Sequence, residues 1–260
     1  MKLLLKPFQW MYCIYAIIVF VALMLVLFPF VLIASLFGRI HGGNLIYRIC
    51  MLWGDLWFFL IFIYHRNYYE QPLDAKRQYI FVGNHISYID GPILVKTIRR
   101  PIRALGKIQM RSIPIFGFIY RRVVVSVDRG DALHRAKSVR NMKSIINKGI
   151  SLIILPEGTF NLTSNPLKEF YDGAFRVAIE TQTPIKPFVM LDASDRMHYR
   201  HVFTLTPGKS RSIFLEEVPV DGLTLSDIAS LKKKVYDLME KKLIKYKASW
   251  ISPAPPAGGE

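Results

Sequence analysis

Cysteine is nearly absent from this chain: Cys13 and Cys50 are the two in 260 residues, and both lie inside apolar stretches. That excludes a disulfide-stapled fold and a cysteine-based metal site, so the pair reads as small hydrophobes. Charge is missing altogether from Pro7 to Gly38, and acidic side chains are scarce from 99 to 148. No G-x-x-x-x-G-K-[ST] or G-x-G-x-x-G run occurs, which removes the usual glycine-rich phosphate cradles. No internal repeat is visible, and no cluster has metal-ligand spacing. An apolar fraction of 52% excludes intrinsic disorder.

What is present is a formal net charge of +16, from 35 basic and 19 acidic residues. Residues 1–65 carry four basic groups and one acidic group, so the grease is N-terminal and the charge lies downstream. Residues 99–148 hold 13 Lys or Arg against Asp128 and Asp131. A field of that sign favours anionic partners: phosphorylated small molecules, an anionic membrane surface or nucleic acid. A solvated basic face is the plainer reading of the same residues.

Residues 10–37 are apolar apart from Pro29 and Ser35. As a helix this stretch is about 42 Å long, against a hydrocarbon core of about 30 Å, which predicts a membrane-embedded helix. It is too long for the apolar region of a signal peptide, and no small-x-small site closes it. A second apolar stretch, Leu45–Tyr64, contains Arg48 and Asp55, which are costly in lipid unless paired or lifted to the interface. Between the two lies Arg39-Ile-His-Gly-Gly-Asn44, a turn by composition. Lys2 and Lys6 precede the pair, and Arg66, Lys76 and Arg77 follow it. The positive-inside rule then places both ends in the cytoplasm, predicting a helical hairpin that is re-entrant or fully crossing.

Beyond Arg66, apolar runs alternate with amphipathic stretches. Strands are predicted at Tyr79–Val82, Val123–Val127, Leu152–Leu155 and Ile185–Leu191, with edge strands near His201–Leu205 and Ser212–Val218. Helices are predicted over Ile89–Thr97, Asp131–Lys148, Ala174–Thr181 and about Ser226–Lys247. The last of these puts Ile228, Leu231, Val235, Leu238 and Met239 on one stripe. The expected fold class is α/β, a largely parallel central sheet flanked by helices, preceded by the N-terminal membrane-embedded two-helix hairpin. The expected division is a hairpin over 1–65, an α/β domain over 66–250 and a disordered tail over 251–260. Ligands of such sheets bind at the carboxyl ends of the strands.

Two loops leave that rim: Gly83-Asn84-His85-Ile86-Ser87-Tyr88-Ile89-Asp90, and Leu155-Pro156-Glu157-Gly158-Thr159-Phe160. In the first, Asp90 can accept one imidazole N–H of His85 and leave the other nitrogen as a base near neutral pH. Ser87-x-x-Asp90 also fits a capping box, and the two readings can share the carboxylate. Ser87 as a nucleophile lacks the G-x-S-x-G elbow.

Asn84-His85-x4-Asp90 resembles the N-H-x4-D motif of the glycerolipid acyltransferases, the family of 1-acylglycerol-3-phosphate acyltransferases. Val123–Arg129 (VVVSVDR), Leu155–Thr159 (LPEGT) and Thr183–Phe188 (TPIKPF) are similar to that family's second, third and fourth motifs, in order. Lys107 with Ile113-Pro114-x-x-Gly117 resembles the segment before the second. Two departures stand out: Phe160 replaces the arginine that often follows E-G-T, and Glu169-Phe-Tyr-Asp172-Gly173 replaces a Lys-Gly pair.

The resemblance implies transfer of a fatty acyl group from acyl-CoA or acyl carrier protein to a lysophospholipid hydroxyl. That is the sn-2 hydroxyl of 1-acylglycerol-3-phosphate, giving phosphatidic acid for phospholipid biosynthesis. It implies His85 as base, Asp90 as its orienting partner, and Arg129 gripping the acceptor phosphate with Lys107 nearby. Glu157 and Thr159 would bind substrate, with backbone N–H groups around Gly158 for the oxyanion. No metal or resident cofactor is implied, and no nucleic acid partner. The implied setting is the inner membrane, with the catalytic domain facing the cytoplasm. Another acceptor, such as a lyso-ornithine lipid, a non-catalytic basic lipid-binding protein, and a serine or thioester hydrolase are the competing readings.

Overall fold

The computed structural model describes residues 6–127 and 132–251. Two N-terminal helices come first, α1 (Lys6–Ser35) and α2 (Gly43–Leu60), joined through a π-helical turn at Gly38–Gly42. They run antiparallel. Small residues on the inner side of α1, Cys13, Ala16 and Ala34, are buried and let α2 approach closely. The amphipathic aromatics of α2 then reach the α1 backbone: Trp57 Nε1 donates to the Ala16 carbonyl at 2.9 Å and Trp53 Nε1 to that of Phe20 at 3.3 Å. Tyr12 of α1 returns a bond to the Ile61 carbonyl at 2.6 Å.

The outer face of α1 stays uncovered, with Ile18, Val26 and Phe30 all more than half exposed. Among the described residues α1 is the one helix long and apolar enough to cross a membrane by length and composition. The second helix behaves differently. Its carboxylate, Asp55, pairs with Lys96 at 2.5 Å and Arg99 at 2.7 Å, and its Trp57 and Phe58 enter the core under the sheet. The Asp55 charge, costly in lipid, is thus paired within the protein.

The sheet has seven strands: β1 (Ile63–Tyr69), β2 (Ile80–Gly83), β3 (Ile102–Lys107), β4 (Val124–Val127), β5 (Ser151–Ile154), β6 (Ile185–Met190) and β7 (Gly208–Phe214). Their order is β1-β7-β6-β2-β5-β3-β4, and only the β6–β7 junction is antiparallel. The central strands β2, β5 and β6 are buried at every position, as continuous apolar runs in a parallel sheet require. Helices α3 (Asp90–Thr97), α4 (Phe116–Val123), α5 (Ala132–Ile146), α6 (Gly173–Glu180), the short α7 (Ala193–Arg196) and α8 (Ile228–Lys245) complete the domain. One core layer lies between the sheet and α5, α6 and α8, the other between the sheet and the α1–α2 pair with α3. In α8 the buried stripe is Leu231, Val235, Met239 and Leu243, while Ile228 and Leu238 are partly buried against the same core.

Several expectations need correction. The stretch near His201–Leu205 is a 3-10 turn, Val202–Thr204, rather than an edge strand. The Thr204 hydroxyl accepts from the His198 N–H at 2.8 Å and donates to the His201 carbonyl at 2.7 Å, local bonds that compete with a ladder. The strand expected at Ser212–Val218 begins earlier, at Gly208, and lies inside the sheet between β1 and β6. Strands β1 and β3 were not expected. In β1, His65 pairs with Ser210 Oγ at 3.0 Å and Asn67 Nδ2 donates to the Thr97 carbonyl at 2.9 Å, so polar residues sit inside. In β3 it is Arg103 that is buried. Strand β1 also runs across residue 65, where the sequence suggested a boundary.

Candidate active site

Strands β2 and β5 pair in parallel, with Val82 opposite Ile154. The two loops picked out from the sequence therefore leave the same rim side by side. At the end of β2, a side chain at Gly83 would overlap the Phe188 ring of β6, so the backbone turns out of the sheet at a residue without one. Asn84 then stitches the loop to β6: its Nδ2 donates to the Met190 carbonyl at 3.1 Å and its Oδ1 accepts from the Met190 N–H at 2.7 Å. This is a loop-shaping role, as the residue type suggested.

His85 Nδ1 lies 2.7 Å from Asp90 Oδ2. The same oxygen accepts the N–H groups of Ile86 at 2.7 Å and Ser87 at 2.9 Å, so a completely buried carboxylate is held from three sides. Its second oxygen, Oδ1, is buried and has no partner among the described residues. The dyad and a local cap do share Asp90: its Oδ2 reaches back to the Ser87 N–H at 2.9 Å, and Ser87 Oγ accepts the Ile89 N–H at 3.3 Å, so the cap forms with the hydroxyl on the N–H two residues on rather than three. The Ser87 hydroxyl also donates to the carbonyl of Met197. A fully buried hydroxyl committed to that carbonyl is unsuited to be a nucleophile. Among the described residues no hydrogen bond engages His85 Nε2, and the ring remains about one quarter exposed. The dyad thus presents one nitrogen to the rim.

The second loop braces the first. Glu157, buried on all sides, accepts the His85 N–H at 2.7 Å through Oε1 and the Lys168 N–H at 2.9 Å through Oε2. The Asn161 N–H donates to the His85 carbonyl at 2.7 Å. Both backbone groups of His85 are therefore held by residues 157–161. Burial drives the Glu157 carboxyl up to about 7, against the lowering pull of the Lys168 and His85 N–H bonds, with Asp90 nearby adding to the rise.

Gly158 adopts φ +74°, and its N–H closes a turn onto the Leu155 carbonyl at 3.1 Å. That particular N–H is engaged before any oxyanion arrives. Thr159 is exposed, with its hydroxyl accepting from Lys168 Nζ at 2.7 Å. Lys107 ends β3 on the same rim, exposed, and its carbonyl accepts from the Tyr120 hydroxyl at 2.8 Å. Among the described residues it makes no hydrogen bond or ion pair to the dyad. Arg129 lies outside the described residues.

Three neighbours were not singled out as site residues from the sequence. Phe160, expected as a missing arginine, sets its ring edge-on to His85 at 4.5 Å and to Tyr88 at 4.8 Å. Asn161 clamps the His85 carbonyl. Lys168 brings a cation to the Thr159 hydroxyl from nine residues away. The spacing of a loop carries no signal for such contacts.

A buried carboxylate orienting a rim histidine, backed by a parallel sheet, defines an acid-base centre suited to activating a hydroxyl. Residues 65–191 match the acyltransferase family model, so that span carries an acyltransferase-family domain. The 1-acyl-sn-glycerol-3-phosphate acyltransferase of Haemophilus influenzae is 27% identical over 66% of this chain and 72% of its own length. A probable 1-acyl-sn-glycerol-3-phosphate acyltransferase of Mycoplasma pneumoniae is 29% identical over 47% of each chain, so the match spans about half of that relative. The crystal structure of the 1-acyl-sn-glycerophosphate acyltransferase PlsC from Thermotoga maritima superposes with a TM-score of 0.73. It covers 97% of this chain and 100% of that one at 21% identity, which speaks for the fold.

Proposed function

We propose that the chain is a membrane-associated O-acyltransferase that moves a fatty acyl group from an acyl thioester, acyl-CoA or acyl carrier protein, to the sn-2 hydroxyl of 1-acylglycerol-3-phosphate. The observation that carries this reading is the His85–Asp90 pair at 2.7 Å with Nε2 left to the rim. His85 Nε2 takes the hydroxyl proton as the acceptor oxygen attacks the thioester carbonyl. Asp90 stabilises the imidazolium that results. The tetrahedral intermediate collapses with cleavage of the C–S bond, and the imidazolium returns its proton to the departing thiolate. The thioester is already activated, so no acyl-enzyme and no metal or resident cofactor is needed. Lys168 and Lys107, with Arg129, supply cations for the acceptor phosphate.

The uncovered face of α1 supports membrane association, with α1 and α2 as the anchoring unit and the sheet from β1 onward as the catalytic domain; the tail expected over 251–260 lies, from residue 252, outside the described residues. The basic stretch 99–148 is suited to an anionic membrane surface, and the positive flanks of the helix pair favour a cytoplasmic face at the inner membrane. One observation favours a second acceptor: the Phe160 ring against His85 replaces a cation with an apolar wall, which suits a lysolipid such as a lyso-ornithine lipid. Purified protein given an acyl-CoA and a panel of lysolipids, with products resolved by mass spectrometry, tests both. Phosphatidic acid from 1-acylglycerol-3-phosphate is the expected product; release of free fatty acid with no acceptor consumed would overturn the assignment.

A further inference from the structure

The rim of the sheet opposite the catalytic loops carries a second cleft, of about 300 Å³. Its walls come from segments remote in sequence: Asn44 and Arg48 of α2, Lys76 and Arg77 before β2, Arg100 before β3, and Ser151 opening β5. Strands β2 and β5 run from this cleft to the loops that hold His85 and Glu157. The four-residue height of those strands, roughly 13 Å at about 3.3 Å per residue, keeps the two sites apart.

Among the described residues, four that line the cleft are cations and none is acidic. Arg77 is matched by Glu217 at 2.7 Å. Among the described residues no ion pair matches Arg48, Lys76 or Arg100. The carboxylate of Asp74, two residues before Lys76, accepts the Lys76 backbone N–H at 2.8 Å. Arg100 is held in place before any ligand arrives. Its Nη1 donates to the carbonyls of Asp74 and Ala75 at 3.3 and 3.1 Å, and its Nη2 to Ser151 Oγ at 3.2 Å. Its guanidinium stands 5.2 Å from the ring centres of both Tyr79 and Phe81. The Nε–H is buried and has no hydrogen-bond partner among the described residues. Arg100 thus supplies a fixed positive charge at the wall of the cleft, and the two exposed cations on flexible stems, Arg48 and Lys76, supply the N–H donors that phosphate oxygens accept.

We propose that this cleft is a binding site for a phosphate group, carried by an anionic lipid headgroup or by a soluble phosphate. The lipid source is within reach because α2, which gives Asn44 and Arg48, packs on the apolar helix α1.

The test uses full-length protein in neutral detergent micelles, titrated calorimetrically with inorganic phosphate in one arm and dihexanoylphosphatidylglycerol in the other. Saturable binding is expected in at least one arm. It weakens about tenfold or more in the double variant Arg48→Gln with Lys76→Gln, each exposed residue contributing a charged hydrogen bond. It is unchanged in His85→Ala, and also in Lys234→Gln with Lys241→Gln, which removes the same charge from α8. Binding of phosphate alone assigns a soluble ligand, and binding of the short-chain lipid alone assigns a headgroup. No binding in either arm, equal affinity in the Arg48 and Lys76 variant, loss in His85→Ala, or the same loss in the α8 control overturns the proposal.

Discussion

Replacing Glu157 with glutamine separates what its carboxyl does by titrating from what it does by hydrogen bonding. The folded protein holds the Glu157 proton up to about pH 7, against an ordinary value of 4.5, because the group is buried. The folded state therefore binds this proton more tightly than the unfolded chain. The resulting stabilisation is complete below about pH 4.5 and is lost as pH rises through about 7, a total of about 3 kcal/mol. Glutamine cannot titrate and contributes no such slope. It also offers one acceptor oxygen where the ionised Glu157 offers two, to the His85 and Lys168 N–H groups, which costs about 1–3 kcal/mol where the carboxylate is ionised.

His65 works in the opposite direction. Burial lowers it from 6.5 to about 4, so its contribution is present above pH 6.5 and is lost as pH falls toward 4. Because both proteins contain His65, the difference between their curves removes it. Urea unfolding in neutral micelles, followed by tryptophan fluorescence from pH 5 to 8, reads that difference. The advantage of the native protein over Glu157→Gln grows by about 2–3 kcal/mol on going from pH 8 to pH 5. Parallel curves, or an advantage that shrinks as pH falls, would refute the reasoning.

Asp90→Asn keeps an oxygen for the three groups that donate to Asp90 Oδ2 but removes the charge behind the imidazolium, so kcat falls by about 10²–10⁴. Steady-state acyl transfer checks this, with a circular dichroism spectrum to confirm folding. Arg103→Met removes a buried guanidinium that ties the Asn44 side chain and the carbonyls of Arg39, Ile40 and Ile102 to the start of β3. The α1–α2 turn should loosen at a cost of about 3 kcal/mol, seen as faster proteolysis near residue 40 in micelles. Lys168→Met takes the cation from Thr159 while its backbone bond to Glu157 persists. KM for a phosphorylated acceptor should rise about tenfold with little change in kcat, and a rise confined to kcat would show that Lys168 does not bind the phosphate.

The readable parts of the sequence were those set by local chemistry. Apolar runs marked β2, β5 and β6, because strands buried on both faces show no polar alternation; Lys186 interrupts the run in β6 and is buried with its ammonium donating to Gln71 Oε1 at 3.2 Å. The five-residue step from His85 to Asp90 marked the dyad, since a loop-to-helix corner brings those positions together. What escaped depended on partners far along the chain. Strands β1 and β3 were hidden by the half-buried His65 and Asn67 and the buried Arg103, whose polar groups are satisfied by Ser210, the Thr97 carbonyl and the turn before α2. Ser87-x-x-Asp90 read as a local cap, and Asp90 does reach back to the Ser87 N–H; the hydroxyl's bond to Met197, 110 residues on, left no local trace. Phe160 read as the loss of a cation, while its position against His85 is decided by how residues 157–161 fold back on the first loop. Arg129, named from its motif, lies outside the described residues.

The central claim is that His85 is the base for transfer of an acyl group to a lysolipid hydroxyl. The most direct measurement compares native protein with His85→Ala, given an acyl-CoA and 1-acylglycerol-3-phosphate in micelles, with phosphatidic acid quantified by mass spectrometry. The account predicts loss of product by at least about 10²-fold, with unfolding curves that superpose. Product formation at the native rate by a folded His85→Ala protein would contradict it.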